Sequence, residues 1–226
     1  EVVHDLNLLL IWIEAAIVIF VLALMVDIII RFSEKNNPTP SKTTHNTLLE
    51  VIWTAVPILI LIVIAVPSLK SLYFADHTPN AEMTLKVKGN QWYWSYEYPD
   101  HGELEFDSVF IPDEELKEGQ PRMLSVDNPV YLPADTNVRL LLTRNDVIHN
   151  WAMPSFGIKI DTVPGRTNET WVRIDKEGTY YGQCSELCGV NHGFMPIAVK
   201  AVSKEAFKAW TVEAQKEFAK ADDSSP

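Results

Sequence analysis

Residues 182–196 read GQCSELCGVNHGFMP and hold both cysteines of the chain, Cys184 and Cys188, followed by His192 and Met195. Soft or borderline donors crowded into one short loop ask for a reason. A Cys184–Cys188 disulfide is compatible with the spacing, but it closes a very small ring and leaves His192 and Met195 without a role. Zinc accepts two cysteines at this spacing, yet it disfavours methionine and needs a further strong ligand. Copper suits thiolate, imidazole and thioether together, although a mononuclear electron-transfer site uses only one cysteine. Two thiolates can instead bridge two copper ions, and each ion then takes one imidazole.

That arrangement needs a second histidine. Of the six, His4 and His45 fall in apolar N-terminal territory, and His77 and His101 sit in polar linkers or turns. His149, in RNDVIHNWAMPSFG, ends a strand candidate and opens a loop. Copper proteins built on β-sandwiches draw one histidine from such an early position and the remaining ligands from a loop between two late strands. The residues therefore read as a site for two copper ions. A copper carrier would need a displaceable site, and a disulfide-bonded adhesion domain would need neither His192 nor Met195.

The surroundings of this loop are β-structured. Residues 83–98, MTLKVKGNQWYWSYEY, alternate so that Trp92, Trp94, Tyr96 and Tyr98 share one face of a single strand. Further strands are expected at 104–111, 123–126, 138–143, 170–174, 179–182 and 195–201, separated by turns such as PADTN, VPGR and DKEG. This spacing predicts a Greek-key β-barrel or sandwich over residues 80–203. Residues 204–226 read as an amphipathic helix fraying into a disordered tail.

The first third differs in kind. Residues 6–30 and 48–72 are apolar runs long enough to cross a bilayer. They make residues 1–79 a transmembrane hairpin and the whole an α+β membrane protein. Pro57 and Pro67 are tolerable in such a helix. Arg31, Lys35 and Lys42 put loop 31–47 on the cytoplasmic side and both termini outside. Glu14 within the first run calls for a neighbouring membrane protein, whereas Asp27 has Arg31 four residues on. EVVHDLNLLL lacks a basic n-region and an initiator methionine, so the chain reads as an already processed form.

Net charge is −11 over 226 residues, which excludes a nucleic-acid binder and favours a basic partner. From Tyr73 onward there are 15 Lys and Arg against 24 Asp and Glu, so the outer segment carries most of that charge.

Taken together, YYGQCSELCGVNHGFMPI, DVIHNWAMPSFGIK, GNQWYWSYEY and VPGR resemble subunit II of cytochrome c oxidase, as does a two-helix hairpin followed by a cupredoxin-like domain. The resemblance covers essentially the whole chain. It implies a dinuclear copper A centre in which Cys184 and Cys188 bridge, His149 and His192 each cap one copper, and Met195 and the Glu186 carbonyl are weak ligands. It implies electron transfer from a basic cytochrome c to haem a of subunit I, whose haem–copper site reduces oxygen to water with proton pumping. By the same resemblance Trp92 is where electrons come in, and Glu97, Asp107, Asp127 and Asp146 dock the cytochrome. The Glu186 side chain would reach a magnesium or manganese ion shared with subunit I, and Glu50 would stand at the entrance of a proton path. Subunit III is a further expected neighbour. No haem is expected in this chain, which has no Cys-x-x-Cys-His. The expected location is a bacterial inner membrane with the copper domain periplasmic, or alternatively the mitochondrial inner membrane.

Overall fold

The structure is a computed structural model, and it describes residues 2–102 and 104–218. The expected tail lies largely outside the described residues. Two compact units divide near residue 76.

The first unit is a pair of helices, α1 (Val2–Arg31) and α2 (Thr47–Asp76). Each has 30 residues, about 45 Å at the helical rise, against a hydrocarbon core of about 30 Å. Both outrun the apolar stretches at 6–30 and 48–72, because a helix continues through polar residues once they reach the headgroup region. The Asn46 side chain starts α2 by accepting hydrogen bonds from the backbone N–H groups of Leu48 and Leu49. Asp27 pairs with Arg31 at 2.7 Å. Most other side chains of the hairpin are exposed apolar groups, Trp12 and Trp53 among them, and Glu14 is exposed in their midst. Such a surface needs lipid or protein around it.

The second unit is a sandwich of two five-stranded sheets. One has the order β3-β2-β1-β5-β8, formed by Leu104–Ser108, Tyr93–Tyr98, Met83–Asn90, Val138–Arg144 and Asn168–Val172. The other has the order β4-β10-β9-β6-β7, formed by Val130–Pro133, Pro196–Val202, Gly178–Cys184, His149–Met153 and Ile158–Thr162. β1 runs parallel to β5 and β4 parallel to β10, and the other pairs are antiparallel. Leu85, Val87, Leu140 and Leu142 of one sheet meet Trp151, Met153, Ile197 and Val199 of the other in one buried cluster. The N-cap Ser203 opens α3 (Lys204–Glu217), which lays Phe207 and Trp210 against Tyr98.

The structure departs from the sequence reading in the strands. The stretch 83–98 is a hairpin rather than one strand, turning at Gln91 and Trp92. A two-residue turn keeps the apolar alternation intact: Gly89 pairs with Trp94 and Val87 with Tyr96, so the buried aromatics Trp94, Tyr96 and Tyr98 still fall at every second position, with Ser95 also buried between them. Trp92 consequently leaves the face it was assigned to. The expected strand at 123–126 is only a single bridge between Val126 and Phe110. β4, β6 and β7 escaped the sequence reading; β6 is buried at all its positions and shows no alternation.

Two positions test this packing. A Cβ on Gly182 of β9 would overlap the Ala152 carbonyl oxygen and the Met153 sulfur, whereas one on Gly193 would meet nothing. Gly182→Ala should therefore destabilise the outer unit by about 1–3 kcal/mol or more in denaturant melts, with Gly193→Ala close to neutral. On the outer face of β1–β3, Lys86 and Lys88 reach Glu97 at 2.6 and 3.1 Å, and Lys88 also reaches Glu105 at 2.7 Å. Burial raises the Glu97 carboxyl, but the two ammonium groups outweigh it and hold it below its ordinary value. The resulting stabilisation is complete above the unfolded carboxylate range, about pH 4.3, and disappears as pH falls through that range to the depressed folded value. Glu97→Gln should thus cost about 0.2–1 kcal/mol at pH 7, and the difference from wild type should shrink in melts run below pH 4.

Candidate metal centre

The site forms where one end of the second sheet meets the β1–β2 turn. β6 begins with His149 and β9 ends with Cys184, and the antiparallel pairing of Trp151 with Cys184 sets these two ends side by side. The loop after β9 then folds back. Cys184 N–H donates to the Met195 carbonyl at 3.1 Å, Ser185 N–H to the Asn150 carbonyl at 3.1 Å, and the Gln183 side chain to the Gly193 carbonyl at 2.6 Å. Cys184, Cys188, Met195 and His149 are all buried.

The cysteines are free thiols with their sulfurs 3.9 Å apart. Both sulfurs and a ring nitrogen of His149 lie within 4.8 Å of one another. Two sulfurs at that separation can each sit about 2.3 Å from a shared ion. Cys188 Sγ is 3.5 Å from His192 Nδ1, and Cys184 Sγ is 3.4 Å from the Glu186 carbonyl oxygen. Met195 belongs to the same buried cluster as both cysteines.

His149 shows most clearly that these residues fit a metal. Its Nε2 lies 2.8 Å from Asp146 Oδ1, so the proton of the neutral ring resides there. Nδ1 is buried and has no hydrogen-bond partner. An orphaned lone pair beside two thiols costs free energy unless something binds it. The ring itself fits because β1 offers Gly89: a Cβ there would come within 2.8 Å of His149 Cδ2. Trp94, the partner of Gly89 across the β1–β2 ladder, meets the ring edge to face, with centroids 6.0 Å apart.

The electrostatics point the same way. Burial opposes the Cys184 thiolate, but His149, backbone groups at Asn150 and Glu186, and His192 outweigh it and hold the thiol down at about 7. Burial and the neighbouring Cys184 thiolate push the Cys188 thiol up to about 12. Burial would lower the His149 imidazole, while Cys184 and Asp146 raise it. Ionising one thiol thus works against ionising the other, and a cation bound between them would offset that repulsion.

Trp92 lies half-buried in the β1–β2 turn. Its indole N–H donates to the Cys188 carbonyl at 3.1 Å, and the Gln91 amide donates to the same oxygen at 2.8 Å. Gly189, at φ +120°, leaves room for both side chains.

The structure brings together His149, Cys184, Cys188, His192, Met195, the Glu186 carbonyl and Trp92. It also draws Asp146, expected as a docking carboxylate, into the centre as the acceptor for His149. Gln91 and this use of Asp146 were not foreseen; the Asp-x-x-His spacing of residues 146–149 was the available signal. Glu97 sits in the lysine ladder of β1. Asp107 is exposed and accepts from Ser95 at 2.6 Å, and Asp127 is exposed and accepts the N–H groups of Val109 and Asn128 at 2.7 Å. The Glu186 side chain is exposed. Glu50 lies in the first turn of α2, in the helical unit.

Comparison with known proteins agrees with this architecture. Residues 83–202 match the family described as cytochrome C oxidase subunit II, periplasmic domain, and residues 1–71 match its transmembrane domain. A Rickettsia bellii protein named "Probable cytochrome c oxidase subunit 2" is 54% identical over 99% of this chain and 83% of its own length. Cytochrome c oxidase subunit 2 of Phytophthora megasperma is 50% identical over 92% and 78%. The crystal structure of the periplasmic domain of subunit II of cytochrome oxidase from Bradyrhizobium japonicum superposes with a TM-score of 0.60 at 50% identity, covering 63% of this chain and all of that one. A second solved structure, a mixed disulfide intermediate between a thioredoxin-like protein and subunit II of cytochrome c oxidase, superposes with a TM-score of 0.56 at 50% identity, over 63% and 97%. With both of its units matched, the chain belongs to the cytochrome c oxidase subunit II family.

Proposed function

We propose that this chain accepts electrons from cytochrome c at a dinuclear copper A centre and delivers them to haem a of subunit I. The observation that carries this reading is the pair of free, buried sulfurs closed by the unpartnered His149 nitrogen, with the Trp92 indole hydrogen-bonded to the Cys188 carbonyl. Cys184 and Cys188 would bridge the two ions, His149 and His192 would cap them, and Met195 and the Glu186 carbonyl would complete the set. Held there, the pair would supply a one-electron centre whose bonds change little on reduction.

The chain's own residues do the rest. Asp146 holds the His149 proton on Nε2, which keeps Nδ1 free to ligate. The loop's backbone hydrogen bonds fix the ligands, which favours a permanent centre over a copper carrier. Trp92 offers a half-exposed aromatic surface one hydrogen bond from a cysteine's own peptide group, a short covalent and hydrogen-bonded route inward. Asp107 and Asp127 are free to face a basic cytochrome. Glu97 and Asp146 are engaged within the domain, so they would act through the overall acidic field. The Glu186 side chain would reach magnesium or manganese at the boundary with subunit I, and Glu50 would serve at a proton-path entrance into it. Subunit III would be a further neighbour.

We place the chain in a bacterial inner membrane with the copper domain periplasmic; a mitochondrial inner membrane is the alternative. The mixed-disulfide relative supports one more assignment. Where Cys184 and Cys188 have been oxidised to a disulfide, a thioredoxin-like dithiol would break it by exchange, passing through a mixed disulfide and becoming a disulfide itself, which leaves both thiols free before copper enters.

Two experiments test the reading. The copper-loaded protein should give a paramagnetic resonance pattern from one electron shared equally by two copper nuclei; a one-copper pattern, or no uptake, overturns it. Trp92→Phe keeps a ring but cannot donate to the Cys188 carbonyl. It should slow cytochrome c oxidation severalfold while leaving that spectrum intact, and an unchanged rate removes Trp92 from the route.

A further inference from the structure

Arg144 closes β5, and its side chain is 1% exposed. A fully buried guanidinium is rare, because it stays cationic under all ordinary conditions and its desolvation is costly. Here Nε and Nη1 have no hydrogen-bond partner. The only carboxylate within ion-pair reach among the described residues is Asp146, whose Oδ1 lies 3.7 Å from Nη1. That same oxygen accepts from His149 Nε2 at 2.8 Å, while Oδ2 accepts from Gln91 N–H at 2.6 Å. In the β1–β5 ladder the partner of Arg144 is Gly89, the residue whose missing side chain makes room for the His149 ring. Arg144, Asp146 and His149 therefore form a line of charge, counter-charge and ligand under the metal centre.

We propose that Arg144 is a positioning residue that raises the electron affinity of this centre by partly neutralising Asp146. The proposal rests on the copper reading above. The physical argument has two parts with the same sign. A fixed positive charge in a low-dielectric interior favours the state with the extra electron. Opposing Asp146 also weakens the carboxylate's pull on the His149 Nε2 proton. Nδ1 then donates less electron density, and the oxidised state is stabilised less. A salt bridge that merely held β5 to the 145–148 turn would have neither effect.

The test is a redox titration, followed by paramagnetic resonance, of the full chain assembled in its oxidase. Wild type is compared with Arg144→Gln, Arg144→Met and Arg144→Lys. The neutral variants should lower the midpoint potential of the centre while keeping the two-nucleus spectrum, and Arg144→Lys should hold it near wild type. A midpoint unchanged in a neutral variant with an intact spectrum overturns the proposal. So does a shift in Arg144→Lys as large as in Arg144→Gln, which would trace the effect to packing. If neither neutral variant takes up copper while Arg144→Lys does, the role is structural and the proposal also falls. A wild-type spectrum without two coupled coppers would instead remove the reading beneath it.

Discussion

The structure turns on two sulfurs 3.9 Å apart in a place where water cannot solvate them. One thiol ionises readily, with His149 and backbone groups nearby; the second then resists, because it would put like charge beside like charge out of solvent. A cation bound there would offset that repulsion, and the unpartnered His149 nitrogen lies close enough to both sulfurs to be a further ligand. The site is thus an electrostatic deficit that a bound metal would resolve. Backbone hydrogen bonds from Cys184 to Met195 and from Ser185 to Asn150 fix the ends of the loop that carries it.

The sandwich supplies those ends. Pairing of β6 with β9 places His149 and Cys184, and the start of β10 at Pro196 anchors the far side of the loop. The first sheet contributes by what it omits as well as by what it presents. Gly89 leaves space for an imidazole, and the β1–β2 turn presents Gln91 and Trp92 to the Cys188 carbonyl. Strands buried on both faces, such as β6, allow little rearrangement, so ligand positions are set by the core rather than by the loop alone.

The helical unit answers to different physics. Its side chains are apolar on nearly every side, and exposed Glu14 has no explanation within the hairpin, which fits a subunit finished by its surroundings. The second unit has a hydrophobic core of its own and an acidic surface. Within that surface the carboxylates differ in availability: Asp107 and Asp127 stand exposed, Glu97 is neutralised by lysines, and Asp146 is committed to His149.

The sequence alone determined the membrane hairpin, the β character of the second unit, and the loop that gathers both cysteines with His192 and Met195. Each is written in local terms: the length of an apolar run, an alternation of period two, and the spacing of rare donor residues. His149 was also singled out, although it was expected to end a strand and open a loop and instead begins β6. What only the tertiary structure decided is non-local. It turned residues 83–98 into a hairpin, because a two-residue turn preserves the alternation and leaves no trace in the pattern. It set Asp146, still partly exposed, against the histidine and placed buried Arg144 beside it. It also tied Trp92 to the Cys188 carbonyl. In a linear chain a charge looks the same whether it faces solvent or an imidazole, and only the folding of distant strands onto one another tells the two apart.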